Sequence, residues 1–238
     1  MSKLLSRTCS NALAAVEKLP EEDRSKVTVI DHGGMMGTGM VMGAALLQAA
    51  ANGADKDELV ALAARIDTSV YHVSFLNTSS FCRLAATGRM GAPAKQMSAD
   101  LKAKGTKDSD LCLPVGTVNR DAFPADAAAK AGTLKTPVLL PTHTDTKGMV
   151  LGPGADMRAF DEYLSILKAN LKEGEKLANV HVGNVSSRMD VTNKLIVRVK
   201  EALGDRIEGE IEVLQPFLAY CLVAAWGAIY LAYWIKKA

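Results

Sequence analysis

The sequence predicts an α/β domain followed by a C-terminal membrane-spanning helix, and three observations carry that prediction. Val27 to Ala51, VTVIDHGGMMGTGMVMGAALLQAAA, has the form of a strand, a glycine loop and a helix. Strand-like and helix-like patterns alternate from there to Val213. Residues 214–235 then pass without a charged side chain.

In the first of these units, Val27, Thr28, Val29 and Ile30 predict a short buried strand, because β-branched side chains favour extended backbone. Gly33, Gly34, Gly37 and Gly39 permit the turn after it, and Met40, Val41, Ala44 and Leu47 continue at helical spacing. At least one of Gly37 and Gly39 is expected at positive φ or against another backbone. The first N–H groups of such a helix are unpaired and suit a carboxylate or phosphate. The run Gly37-Thr38-Gly39, with Gly43 beyond it, resembles a dinucleotide fingerprint. No second strand ending in an acid follows at about 20 residues, so a Rossmann cofactor site is not expected.

Composition excludes several classes of function. A chain of 238 residues with a formal net charge of +2 buries a substantial core and offers nothing that argues for nucleic acid. Cys9, Cys82, Cys112 and Cys221 are scattered without a CxxC pair, so neither a zinc site nor a disulfide framework is indicated. His32, His72, His143 and His181 are equally isolated, and His143-Thr-Asp145 is best read as a loop. No nucleophile–base pair, metal cluster or paired carboxylates converge, so an enzyme is the weakest class.

The remaining elements follow in order. Residues 1–19 carry Lys3 and Arg7 and no acid before Glu17, which fits a mitochondrial transit peptide and equally an amphipathic first helix. Asp55 to Arg65 is an amphipathic helix with acids in its first turn. Val70 to Leu76 alternates as a strand, and Ser79 to Ala86 is helical up to the turn Thr87-Gly88-Arg89. Residues 91–135 loosen into Ala, Lys, Asp, Gly and Pro and predict an insertion with at most short helices. Val138 to Leu140 and Met149 to Leu151 are expected to form a hairpin around Asp145–Gly148. Met157 to Leu171 and Asp190 to Leu203 have helical periodicity, while Ala178 to Val182 and Glu210 to Val213 are strand-like.

The order of these motifs resembles the DegV family of fatty-acid-binding proteins. VTVIDHGGMMGTGMVMGAALLQAA is similar to that family's strand, Ser/Met-Gly turn and helix, which brings Gly37 and Gly39 to the site. TSVYHVSFLNTSSFCRLAATGRM is similar to its strand and helix ending in a Gly-Gly-Arg-Ile turn, whose arginine is Arg89 here. LLSRTCSNALAA is similar to a Leu-Ser-Gly-Thr-Tyr helix start, keeping Ser6 and Thr8 with Arg7 in place of glycine. TPVLLPTHTDTKGMVLGPGADMRAF is similar to the family's Lys-Pro hairpin, whose arginine is Arg158 here.

The resemblance implies a non-enzymatic layered strand–helix domain that holds a fatty acid, its tail in the core and its carboxylate near a domain junction, for presentation to a kinase. It also implies departures. The family's first strands, with a Thr-Ser-Gln-Pro motif that contacts the carboxylate, would precede residue 1. Its C-terminal His-x-Gly-Pro-Gly-Ala loop falls near CLVAAWGA, where Cys221 replaces the histidine.

The same C-terminal stretch has the length and ends of a membrane span. Twenty-two uncharged residues at a helical rise cover a bilayer core of about 30 Å. Phe217 and Tyr220 lie toward one end, Tyr230, Tyr233 and Trp234 toward the other, and Lys236-Lys237 follow. The division expected is therefore a DegV-like domain over residues 1–213 and a membrane helix with a basic tail over 214–238. The functional expectation is a non-catalytic, membrane-anchored accessory subunit, in contact with membrane lipids and the other subunits of a mitochondrial inner-membrane complex of the respiratory or ATP synthase kind. Such a subunit would hold no stoichiometric fatty acid and no metal. The alternative is a carrier of fatty acid or phospholipid, whose candidate contacts are Ser6, Thr8, Gly37, Gly39, Arg89 and Arg158.

Overall fold

The computed structural model describes residues 8–32, 36–86, 91–108, 111–117, 137–139, 150–184, 189–213 and 228–237. Its elements are α1 (Thr8–Val16), α2 (Glu21–Arg24), α3 (Met36–Ala51), α4 (Lys56–Asp67), β1 (Val70–Leu76), α5 (Thr78–Ala86), α6 (Gly91–Ala103) and β2 (Leu111–Thr117). After these come β3 (Pro137–Leu139), β4 (Val150–Leu151), α7 (Ala155–Asn170), β5 (Lys176–Asn184), α8 (Met189–Leu203), β6 (Ile207–Glu208), β7 (Glu212–Val213) and β8 (Ile229–Lys236).

The strands form one sheet in the order β3-β2-β1-β8-β5-β6, with β4 also on β2 and β7 also on β5. The C-terminal strand β8 lies between β1 and β5, antiparallel to both. Only β6 and β7 run parallel to their neighbour β5, as the intervening α8 crossover requires. Helices cover both faces. Helix α3, with α4 against it, packs on β1, β8 and β5 from one side, and α7 and α8 pack from the other.

Alternation along the strands sorts the two faces. Tyr71, Val73 and Phe75 of β1 and Ile229, Leu231, Tyr233 and Ile235 of β8 join Phe160, Leu164, Leu195 and Val199 in the larger apolar cluster. Val70 and Ala232 point the other way, to Val41, Met42, Ala45 and Ile66. Helix α4 begins where the sequence says it should. Asp55 accepts from Glu58 N–H and Glu58 accepts from Asp55 N–H, a reciprocal capping box.

Several expectations are corrected. The predicted membrane helix over 214–235 is not formed at its C-terminal end, because residues 229–236 are strand β8 at the centre of the sheet. Residues 214–227 lie outside the described set, and no helix among the described residues is long and apolar enough to cross a membrane. The boundary at 213 moves with it, since β8 shares a sheet with β1. A strand buried on both faces is a continuous apolar run, and that run lacks a polar stripe for the same reason a membrane helix does.

Residues 27–30 have no regular structure, and Val27 is exposed. Their β-branched side chains find no partner strand among the described residues, and propensity alone does not make one. Within the expected insertion over 91–135, α6 runs for 13 residues and β2 pairs with β1 along Val73–Leu76. Pro93 sits in the first turn of α6, where it is tolerated, so it starts that helix rather than breaking it. The expected hairpin is also different. Strands β3 and β4 each pair antiparallel to β2, at opposite ends of its length, and so run in the same direction as each other.

Candidate functional site

Gly37 and Gly39 lie inside the first turn of α3, which starts at Met36 and not after the glycines as the sequence suggests, and neither has positive φ. What requires glycine at Gly37 is closeness. A Cβ there would stand 2.0 Å from His72 Nδ1 and 3.0 Å from the Cβ of Ala232. A Cβ on Gly39 would meet His32 Nε2 at 3.0 Å. The contacts are with imidazole rings rather than with backbone.

The His72 ring belongs to a polar lane on the α3 face of the sheet. The register places His72, Ala232 and His181 side by side across β1, β8 and β5, with Glu212 of β7 beyond. The next row on the same face is Ser74, Tyr230 and Gly183. A bulge between Ala178 and His181, where Asn179 has φ 49°, brings His181 onto this face. A Cβ on Gly183 would lie 1.9 Å from the Tyr230 hydroxyl, so glycine is needed there as well.

Ser74 Oγ and His72 Nε2 are 2.7 Å apart, and both side chains are buried. His72 Nδ1 has no hydrogen-bond partner among the described residues and faces the Gly37 Cα. A bare lone pair is better tolerated there than an N–H without an acceptor, so we assign the tautomer in which Nε2–H donates to Ser74. Burial holds this imidazole neutral, its pKa lowered to about 4.

His181 Nδ1 lies 3.4 Å from Glu212 Oε2, and its Nε2 is buried without a partner among the described residues. Burial lowers the pKa of His181, and the Glu212 carboxylate opposes that shift. His32 Nδ1 is 3.1 Å from Thr38 Oγ1, joining the incoming chain to the first turn of α3.

The chemistry open to this lane is hydrogen bonding by neutral groups. The His72–Ser74 spacing is that of a base and its nucleophile, yet Nδ1 meets Gly37 instead of an orienting carboxylate, and the burial-lowered pKa makes a weak base. No group of three or more His, Cys, Asp or Glu among the described residues is placed to hold a metal.

The residues expected at a lipid site are only partly brought together. Gly37 and Gly39 sit at the lane. Thr8 opens α1 and is exposed, while Ser6 and Arg89 lie outside the described residues, as does Cys221. Arg158 belongs to α7, on the other side of the sheet. Its guanidinium folds back to donate to the carbonyls of Pro153 and Gly152. The sequence reading missed His32, His72, Ser74, His181 and Tyr230. A signal existed in YHVSF, where two polar residues at i and i+2 share one face of an otherwise apolar strand.

No protein-family model and no curated protein sequence matches the chain. Solved structures do. A DegV family protein from Eubacterium eligens loaded with heptadecanoic acid is 19% identical with a TM-score of 0.68, over 99% of this chain and 71% of that one. A stearic-acid-binding protein from Eubacterium ventriosum is 13% identical with a TM-score of 0.64, over 100% of this chain and 69% of that one. A DegV lipid-binding protein from Thermotoga maritima is 12% identical with a TM-score of 0.62, over 100% of this chain and 67% of that one. At such identities the likeness is one of architecture, and on that ground the chain has the DegV-like α/β fold.

Proposed function

We propose that this chain is a non-catalytic binding protein for a long-chain fatty acid or a related lipid. The observation that carries the reading is the likeness over 99% of the chain to a structure loaded with heptadecanoic acid. The α3 face supports it with neutral hydrogen-bonding groups next to an apolar helix–sheet layer, an arrangement suited to a polar head and an apolar tail. The carboxylate would be met near His32, Thr38 and Gly39, where α3 begins. The tail would lead away from Gly37, because the seam between Gly37, His72 and Ala232 leaves no room for an acyl chain. A protein or membrane that hands over the lipid belongs to the same proposal.

This reverses the order of the two expectations drawn from the sequence. The accessory-subunit reading rests on a membrane helix, and residues 229–235 of that stretch are a sheet strand. Lipid extraction tests the carrier. Purified protein, denatured and extracted, is expected to yield one acyl chain per polypeptide by mass spectrometry. Stripped protein given heptadecanoic acid at 100 times its Kd should gain about 2.7 kcal/mol of stability. Protein that carries no acyl chain and shows no shift in Tm with the acid would overturn the reading.

A further inference from the structure

A second site stands on the sheet flank, apart from the α3 lane. The groove between α5 and the turn after α6 has a volume of about 600 Å³ and is lined by Arg83, Lys102 and Lys107 together with Cys82, Ala86 and Leu101. The three cations are exposed, and none forms an ion pair with a described residue. The N-terminus of α5 is not the attraction, since Ser79 N–H donates to Asp108 Oδ1 at 2.7 Å and Ser80 N–H to Asn77 Oδ1 at 2.8 Å. Asp108 keeps its negative charge in that bond, beside the groove-lining Ser79, so three cations and one carboxylate leave the groove net positive.

Three cations around one groove call for more than a single negative charge. A carboxylate brings one, whereas a phosphate monoester brings about 1.5 to 2 at pH 7, with three acceptor oxygens for lysine and arginine donors. The apolar part of the lining asks for an apolar substituent on the same molecule. We propose that this groove binds a small organic phosphate, its phosphate against Arg83, Lys102 and Lys107 and its apolar group against Cys82, Ala86 and Leu101. The site does not depend on the lipid reading of the α3 face.

Cys82 provides the readout, because the residue lines the groove and its buried thiol donates to the Ser98 carbonyl of α6 across the α5–α6 contact. Alkylation of Cys82 in the intact protein is followed by peptide mass spectrometry, with buried Cys9 and Cys112 as internal references. Hexyl phosphate at ten times its Kd should slow Cys82 alkylation about tenfold. Inorganic phosphate and hexanoate at the same concentration should protect less. The double variant Lys102→Gln, Lys107→Gln should lose the protection while keeping its Tm, since both side chains are exposed and Lys107 serves Thr78 only through its main-chain carbonyl.

Equal protection in the double variant overturns the proposal, as does equal protection by hexanoate. Protection by phosphatidic acid vesicles but not by hexyl phosphate would make the groove a membrane contact and overturn it too. If the double variant fails to fold, protection by hexyl phosphate in the parent protein that disappears in high salt still supports the site, and salt-independent protection refutes it.

Discussion

The two faces of the sheet are built on different principles. Under α7 and α8 the layer is almost wholly apolar, with Phe75 edge-on to Phe160 at 5.3 Å and to Tyr163 at 5.8 Å. Its polar groups include the hydroxyls of Tyr163 and Tyr233, hydrogen-bonded at 2.6 Å. Under α3 the same strands present His72, Ser74, Tyr230 and His181, with glycines at 37 and 183 where bulky groups need space. Burying large apolar groups stabilises the first face. The second retains buried imidazole nitrogens without partners among the described residues, an arrangement that costs stability and that folded proteins keep mainly where function requires it. One sheet therefore separates a stabilising face from a face with chemistry.

The largest expected effect breaks the stabilising face. Phe160 is fully buried, and Phe160→Ala should cost about 3 to 5 kcal/mol through lost transfer energy and the cavity left behind. Chemical denaturation checks this, with an unchanged m-value showing that the fold itself is retained.

Acid sensitivity separates the faces more sharply. His72 falls from the ordinary 6.5 to about 4 on burial. Above pH 6.5 it is neutral in both states, and its contribution is fully present. As the pH falls from 6.5 toward 4, the unfolded chain takes up a proton that the folded chain does not, and stability drops by about 3 kcal/mol in all. His72→Gln should remove that part of the slope and leave the part due to His181, whose pKa is lowered in the same direction. A slope between pH 4 and 6.5 unchanged in the variant would mean that His72 does not set the acid response.

The smallest effect tests the close seam. Gly37→Ala places a Cβ at 2.0 Å from an imidazole that is buried and tied to Ser74, so the ring cannot swing aside. We expect a loss of about 1 to 3 kcal/mol from overpacking. Pairing it with His72→Ala should recover part of that loss, a coupling visible in a double-mutant cycle. Simple additivity would place the contact elsewhere.

Part of this was legible in the sequence because it is local. Asp55 and Glu58 announce the start of α4, Val70 to Leu76 is strand β1 to the residue, and the apolar repeat from Met157 through Leu167 becomes α7. The sequence expects Gly37 or Gly39 at positive φ or against another backbone, and the crowding there comes instead from the side chains of His72, Ala232 and His32. The histidines themselves gave no such sign. His72 and His181 are 109 positions apart, and nothing near either one shows that β8 will seat between their strands.

What the sequence by itself determined is the set of elements whose periodicity or capping is complete within a dozen residues: α3, α4, α5, α7, α8, β1 and β5. Only the tertiary structure decided the fate of the C-terminal run. Ile229, Leu231, Tyr233 and Ile235 face one apolar layer, and Ala232 and Trp234 face the other, so both sides are apolar and no period of two appears. Helix and strand are then equally consistent with the pattern. The choice is made by hydrogen bonds to β1 and β5, strands that lie far upstream in the chain and that only folding brings alongside.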